Sequence, residues 1–332
     1  MKKTLTTLMG ALTLASASGM ALAADDVTLQ LKWVTQAQFA GYYVALEKGY
    51  YKDADLNVTI KPGGPDIAPE QVIAGGGADV IVDWLPPALA AREKGLPLVN
   101  IAQIYNKSGM ELTCLKSSGI KTPADFKGKT LGVWFFGNEY PFLSWMAKLN
   151  LPTTGGDEGV TVLKQGFNVD PLLQNQADCI STMTYNEYWQ VIDAGIKPDE
   201  LQVFKYEDEG VATLEDGLYV MEDKLKDDAF KQKMARFLKA SVTGWTYAQE
   251  HPEEAADIVL KYDDTGAQTK EHQVRMMSEV GKLLKGDKPM GYMEPAAFDR
   301  TVGVLLSGSS APVITKKPEG AYTHEIFDMA QK

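Results

Sequence analysis

Residues 78–104, ADVIVDWLPPALAAREKGLPLVNIAQI, decide the fold. The apolar run 79–83 is too short for a helix and reads as a buried strand. Residues 87–94 mix alanine, leucine and charged residues as a helix does, and Gly95 stops it. A second apolar run, 98–104, returns as a strand, so the segment is a βαβ unit. Working outward, residues 27–33 alternate apolar and polar side chains, and 40–50 are helical up to Gly49. Residues 56–60 read as a strand, and 68–74 as a short helix ended by Gly75, Gly76 and Gly77. The first hundred residues therefore read βαβαβαβ, an open α/β sheet with helices on both faces.

The pattern restarts at Met110. Thr122-Pro123-Ala124-Asp125 supplies an N-cap, a proline at the first helical position and an acid at the third, and the turn breaks at Gly128. Strands are expected at 131–134, 160–164, 178–184 and 203–206, with helices at 140–149 and 171–175. A loose internal likeness links the halves: Ala78-Asp79 and Ala177-Asp178 each open a strand, Gly95 and Gly195 follow 16 and 17 residues after the aspartates, and Trp84 and Tyr185 close the strands. After a strand at 217–222, Phe230, Met234, Phe237, Leu238, Ser241 and Trp245 form one stripe of an amphipathic helix. Helices at 252–260 and 271–284 follow, and 307–320 reads as loop.

The 332 residues are 45% hydrophobic and 23% charged, a globular composition that excludes a disordered or collagen-like chain. A formal charge of -11 argues against nucleic acid and anionic membrane surfaces as partners. Lys2 and Lys3, the apolar run 5–14 and Ala21-Leu22-Ala23 read as a secretory signal peptide over residues 1–23, cleaved after Ala23. Losing Lys2 and Lys3 takes the charge from -11 to -13. The expected product is soluble and periplasmic. Cys114 and Cys179 could form a disulfide in that compartment, yet each sits in a strand-like run and reads as a packed thiol. His251, His272 and His324 lie far apart, so no metal site is expected.

GxSxG, GxxxxGK[ST], HExxH and GxGxxG are all absent, and the triple glycine leads into a strand rather than a phosphate-binding helix. No catalytic residue and no cofactor are assigned. What stands out is a set of aromatic, amide and acid residues at the carboxyl ends of the expected strands, where open α/β sheets bind their ligands. The candidate ligand-binding residues are Trp33, Gln38, Tyr42, Asp83, Trp84, Trp134, Phe136, Asn138, Glu139, Tyr185, Glu187 and Asp208. Flat faces suit a planar ring, and carboxylates accept from its N–H groups. Arg92, Arg236, Arg275 and Arg300 are the whole arginine complement, and none lies in these loops. A neutral or cationic ligand is expected over a sulfonate or carboxylate.

Leu31-Lys32-Trp33, the run Gln38-Phe39-Ala40-Gly41-Tyr42-Tyr43, Glu47-Lys48-Gly49-Tyr50-Tyr51, Gly77-Ala78-Asp79, the run 91–97 and the run 119–129 together resemble the SsuA/THI5-like (NMT1-type) solute-binding proteins of ABC importers. The resemblance spans residues 27–260. It implies a type II periplasmic-binding-protein fold, with two α/β lobes joined by two hinge crossings near 104–107 and 201–206 and a C-terminal helical layer. Residues 24–105 and 206–332 would form the first lobe and 106–205 the second. Residues 134–139, 185–187 and 206–211 resemble the branch that binds thiamine pyrimidine precursors, which implies an aminopyrimidine stacked on Trp33 or Tyr185 and read by Glu187. The same resemblance implies an inner-membrane ABC permease as partner and a monomeric receptor. Riboflavin and sulfonate or taurine binders share the fold. So do THI5-like pyrimidine-synthesis enzymes, whose cysteine-rich segment and substrate histidine are missing here.

Overall fold

The computed structural model describes residues 24–307 and 312–332; the expected leader and residues 308–311 of the C-terminal loop lie outside them. Among the described residues ten strands make two sheets: β1 (Asp25–Gln30), β2 (Leu56–Lys61), β3 (Val80–Asp83), β4 (Leu98–Gln103), β5 (Met110–Leu115), β6 (Thr130–Val133), β7 (Thr161–Lys164), β8 (Cys179–Met183), β9 (Leu201–Lys205) and β10 (Gly217–Met221). The first sheet runs β2-β1-β3-β10-β4 and the second β7-β6-β8-β5-β9. In each, a central strand pairs in parallel with two neighbours, and one strand inserted from beyond a crossing runs antiparallel. Strands β3 and β8 are buried along their whole length, as strands covered on both faces must be.

The internal likeness read from the sequence has a structural meaning. Asp79 Oδ2 accepts from Thr28 N at 2.8 Å, and Asp178 Oδ2 accepts from Thr130 N at 2.9 Å. Each aspartate thus ties the start of one buried strand, β3 or β8, to its parallel neighbour, β1 or β6. Gly95 and Gly195 both turn at φ 97°, a left-handed conformation that ends the preceding helix and that other residues adopt at a cost.

Strand β9 pairs with β5 at the edge of the second sheet, so the crossing expected over 201–206 is corrected: the chain returns over residues 206–216. The outward passage, 104–109, lies beside it. Gly109 N donates to Glu215 Oε2 at 2.9 Å, Ser108 N to Glu207 Oε1 at 2.9 Å, and Tyr206 N to Met110 O at 3.1 Å.

The expectation of two packed thiols is also overturned. Cys114 and Cys179 face each other in the antiparallel register of β5 and β8, with Cα atoms 3.9 Å apart, and are disulfide-bonded. Two strand-like runs 65 residues apart gave no sign of that pairing.

The C-terminal half is helical. Helix Asp228–Glu250 lies against helix Ala40–Glu47, and the approach is so close that a Cβ on Gly244 would come within 2.1 Å of the Gly41 carbonyl oxygen. Helices Pro252–Tyr262 and Lys270–Leu283 follow as read. Helices Pro295–Leu306 and Glu325–Ala330 were not anticipated. Helix Pro295–Leu306 touches helix Tyr140–Lys148 of the other lobe, so the lobes meet.

Candidate ligand-binding cleft

The parallel strands end on the two sides of one cleft. From the first sheet, Lys32 and Trp33 follow β1, Gln36 and Gln38 sit in the next turn, and Trp84 follows β3. From the second, Trp134 follows β6, Asn138 precedes helix Tyr140–Lys148, and Met183, Tyr185 and Glu187 come from the end of β8 and just beyond. These ten residues surround a narrow cavity of about 20 Å³, so the two walls stand almost closed on each other. The edge of Trp33 meets Trp134 across the cleft, ring centres 5.9 Å apart at 64°.

The indoles are fixed from behind. Trp84 Nε1 donates to Asp216 Oδ1 at 2.9 Å, and Trp134 Nε1 to Gly166 O at 2.9 Å. With those N–H groups occupied, Trp84 and Trp134 offer apolar ring surface to the cavity. Asp216 comes from the return crossing and also accepts from Gln38 Nε2 at 2.8 Å, so the hinge positions one wall of the cleft. Gln36 Nε2 donates to Gln38 Oε1 at 2.7 Å.

Glu187 supplies the acid on the second wall. Its Oε2 accepts from Met183 N at 3.0 Å and its Oε1 from Asn186 Nδ2 at 2.7 Å. Burial pushes its carboxyl up to about 7, against the pull of those donors. Asn186 also reaches the other lobe: its Nδ2 donates to Gln36 Oε1 at 3.2 Å, and its Oδ1 lies 2.8 Å from His272 Nε2. Burial lowers the His272 pKa, which favours the neutral ring. Asn186 therefore joins the acid of one lobe to the turn and helix of the other.

The first wall is more highly charged. Lys32 Nζ lies 2.7 Å from Asp83 Oδ1, with the two side chains 2% and 0% exposed. This buried ion pair engages at most one of the three ammonium donors, and no other acceptor in the protein meets Nζ. Asp83 Oδ2 and the buried Glu70 Oε2 are likewise without partners. Burial opposes the charge on Lys32, but Asp83 and Glu70 outweigh it and hold the amine protonated. Burial and the nearby Glu70 push Asp83 upward, and Lys32 pulls the other way.

Of the candidates named from sequence, Trp33, Gln38, Trp84, Trp134, Asn138, Tyr185 and Glu187 line the cavity. Five do not. Tyr42 is core, packed edge-on against Trp245 with ring centres 5.5 Å apart. Asp83 stands behind Lys32. Phe136 is 38% exposed, on a left-handed backbone at φ 59°, with Lys164 Nζ 5.1 Å above its ring. Glu139 accepts from Gly137 N at 2.8 Å within its own turn. Asp208 is exposed on the return crossing.

Lys32, Gln36 and Met183 line the cavity without having been chosen. Lys32 and Gln36 flank chosen residues at the β1 end, and reading that whole segment as wall would have included them. Counting arginines overlooked the lysine. The described residues contain no group of three or more possible metal ligands, and none of their helices is long and apolar enough to cross a membrane.

Two α/β lobes with a cleft at their strand ends define the periplasmic-binding-protein fold. A solved structure of the periplasmic aliphatic sulphonate binding protein of Escherichia coli superposes with a TM-score of 0.61 at 14% identity, covering 84% of this chain and 85% of that one. Residues 36–255 match the family described as NMT1/THI5 like, and the chain belongs to it. The formylaminopyrimidine-binding protein of Halalkalibacterium halodurans is 23% identical over 290 residues, 85% of each chain. The riboflavin-binding protein RibY of Chloroflexus aurantiacus is 25% identical over 324 residues, 91% of this chain and 86% of its own. The chain is also similar to a protein named as an enzyme: the 4-amino-5-hydroxymethyl-2-methylpyrimidine phosphate synthase of Candida albicans is 24% identical over 249 residues, 70% of each chain.

Proposed function

We propose that this protein is the periplasmic solute-binding component of an ABC importer, and that it captures a thiamine pyrimidine precursor such as formylaminopyrimidine or hydroxymethylpyrimidine. One observation carries the reading: a cavity between the lobes, walled by Trp33, Trp84, Trp134 and Tyr185, has the buried carboxyl of Glu187 as a side-chain acceptor. Ring faces hold a planar heterocycle, and a carboxylate accepts from its amino or ring N–H groups. The relative named for formylaminopyrimidine supports the choice of ring. Ligand closes the lobes by binding the closed state more tightly than the open one, and the closed monomer docks on an inner-membrane permease.

The rival is an enzyme acting on such a heterocycle, with Glu139 and Glu187 as an acid and base. Glu139 is turned into its own loop and does not line the cavity, which weighs against that pair. Tryptophan fluorescence titration with formylaminopyrimidine, hydroxymethylpyrimidine, thiamine, riboflavin and taurine tests the reading. Saturable binding of the pyrimidines and none of taurine is expected. Binding of taurine alone would overturn it.

A further inference from the structure

Among the residues lining the cleft, Lys32 is the cation, and the ring-and-acid picture gives it no task. An ammonium carries three donors, and a buried donor left without an acceptor is costly. Lys32 Nζ is buried, and its ion pair with Asp83 occupies at most one of those three donors, with no other acceptor in the protein meeting it. Its charge is already answered by Asp83, 2.7 Å off, and by Glu70, a second carboxylate. Neither acid lines the cavity, and Asp216 stands behind the same wall. The cleft thus meets a strong donor whose surroundings are, in sum, not positive. Such a group favours a neutral acceptor over an anion, because an anion would also feel the carboxylates behind the lysine.

We propose that Lys32 determines specificity by donating to a carbonyl oxygen of the ligand, so that the cleft takes a planar nitrogen heterocycle bearing an oxo or formamido group. The carbonyl meets Lys32 on the first wall and an N–H edge meets Glu187 on the second. This rests on the functional reading above and narrows its substrate class.

The test is isothermal calorimetry at pH 8 with uracil, cytosine and formylaminopyrimidine, which carry a carbonyl, and 2,4-diaminopyrimidine, which does not. Wild-type protein is expected to bind the carbonyl-bearing rings at least 10-fold more tightly, and Lys32→Met to lose that preference. Because Lys32→Met leaves Asp83 unpaired and could fail to fold, the double variant Lys32→Met/Asp83→Asn is measured beside it and should lose the preference too. Equal binding of all four rings by wild type, or a preference that survives in the double variant, overturns the role of Lys32 while leaving a heterocycle receptor standing. Tight binding of taurine that depends on Lys32 overturns the neutral acceptor. If no ring binds the wild type, the functional reading falls and this one with it.

Discussion

Asp79 and Asp178 stand at the starts of β3 and β8 and make the same pair of contacts to β1 and β6, and Gly95 and Gly195 end the following helices at the same φ of 97°. At the other end of those strands the likeness stops. Strand β3 ends at Asp83, next to Trp84, in a wall where Lys32, Asp83, Glu70 and Asp216 balance one another before any ligand arrives. Strand β8 leads to Tyr185 and Glu187, a wall with one buried acid whose neighbour Asn186 reaches across to Gln36 and His272. The shared topology places the two walls opposite each other, and the unlike strand ends set their chemistry. The first wall is held by its own sheet and the hinge. The second completes its contacts only with the lobes together.

The Cys114–Cys179 bridge belongs to the second sheet alone and gives the largest expected contrast. Replacing both cysteines by serine opens a loop of 65-residue separation and should cost about 4 kcal/mol of stability in denaturant unfolding. Ligand affinity should hold, because the bridge lies in the sheet and not in the cleft. An affinity that fell with the bridge would tie the second wall to its sheet as firmly as the first.

Glu187→Gln should weaken binding by roughly 1.5 to 3 kcal/mol, the worth of a hydrogen bond to a charged group. Unchanged affinity in calorimetry would remove the acid from recognition. The same carboxyl gives a pH signature. With a pKa near 7 it loses its charge as pH falls, and the neutral acid accepts more weakly than the carboxylate, so affinity for a ring that does not itself titrate should fall as pH drops from 8 to 6.

Stability of the ligand-free protein should run the other way. Burial raises Glu187 to about 7 and Glu215 to about 8, above the ordinary carboxylate range. The folded state therefore holds protons that the unfolded chain releases, and the stability they give is lost as pH rises through 7 and 8. A ligand-free melting temperature higher at pH 8 than at pH 6 would contradict this. The smallest effect belongs to the second crossing: Asp208→Ala should change affinity by less than about 0.5 kcal/mol, since the residue is exposed and outside the cavity.

Much of this was legible in the sequence because alternation, helix stops and short connections are local signals. Strands β2 to β8 fall within a residue of their expected ends and β1 within three, and the correspondence of Asp79 with Asp178 shows as a loose likeness. What the sequence withheld depends on register and direction. The disulfide follows from which residues of β5 and β8 face each other, and strand β9 reads as a crossing because its partner β5 lies about ninety residues earlier. Tyr42 and Phe136 were chosen by residue type, but one points into the core and the other toward solvent. Lys32 was passed over because a lysine beside Trp33 reads as a surface charge until the buried Asp83 and Glu70 are in place behind it.

The central claim is reversible capture of a planar nitrogen heterocycle between the two walls, without chemistry. Native mass spectrometry of the protein incubated with formylaminopyrimidine tests it most directly. The account predicts a one-to-one complex that releases the ligand at unchanged mass after hours of incubation. A protein that stays ligand-free, or a ligand recovered at a new mass, would contradict it.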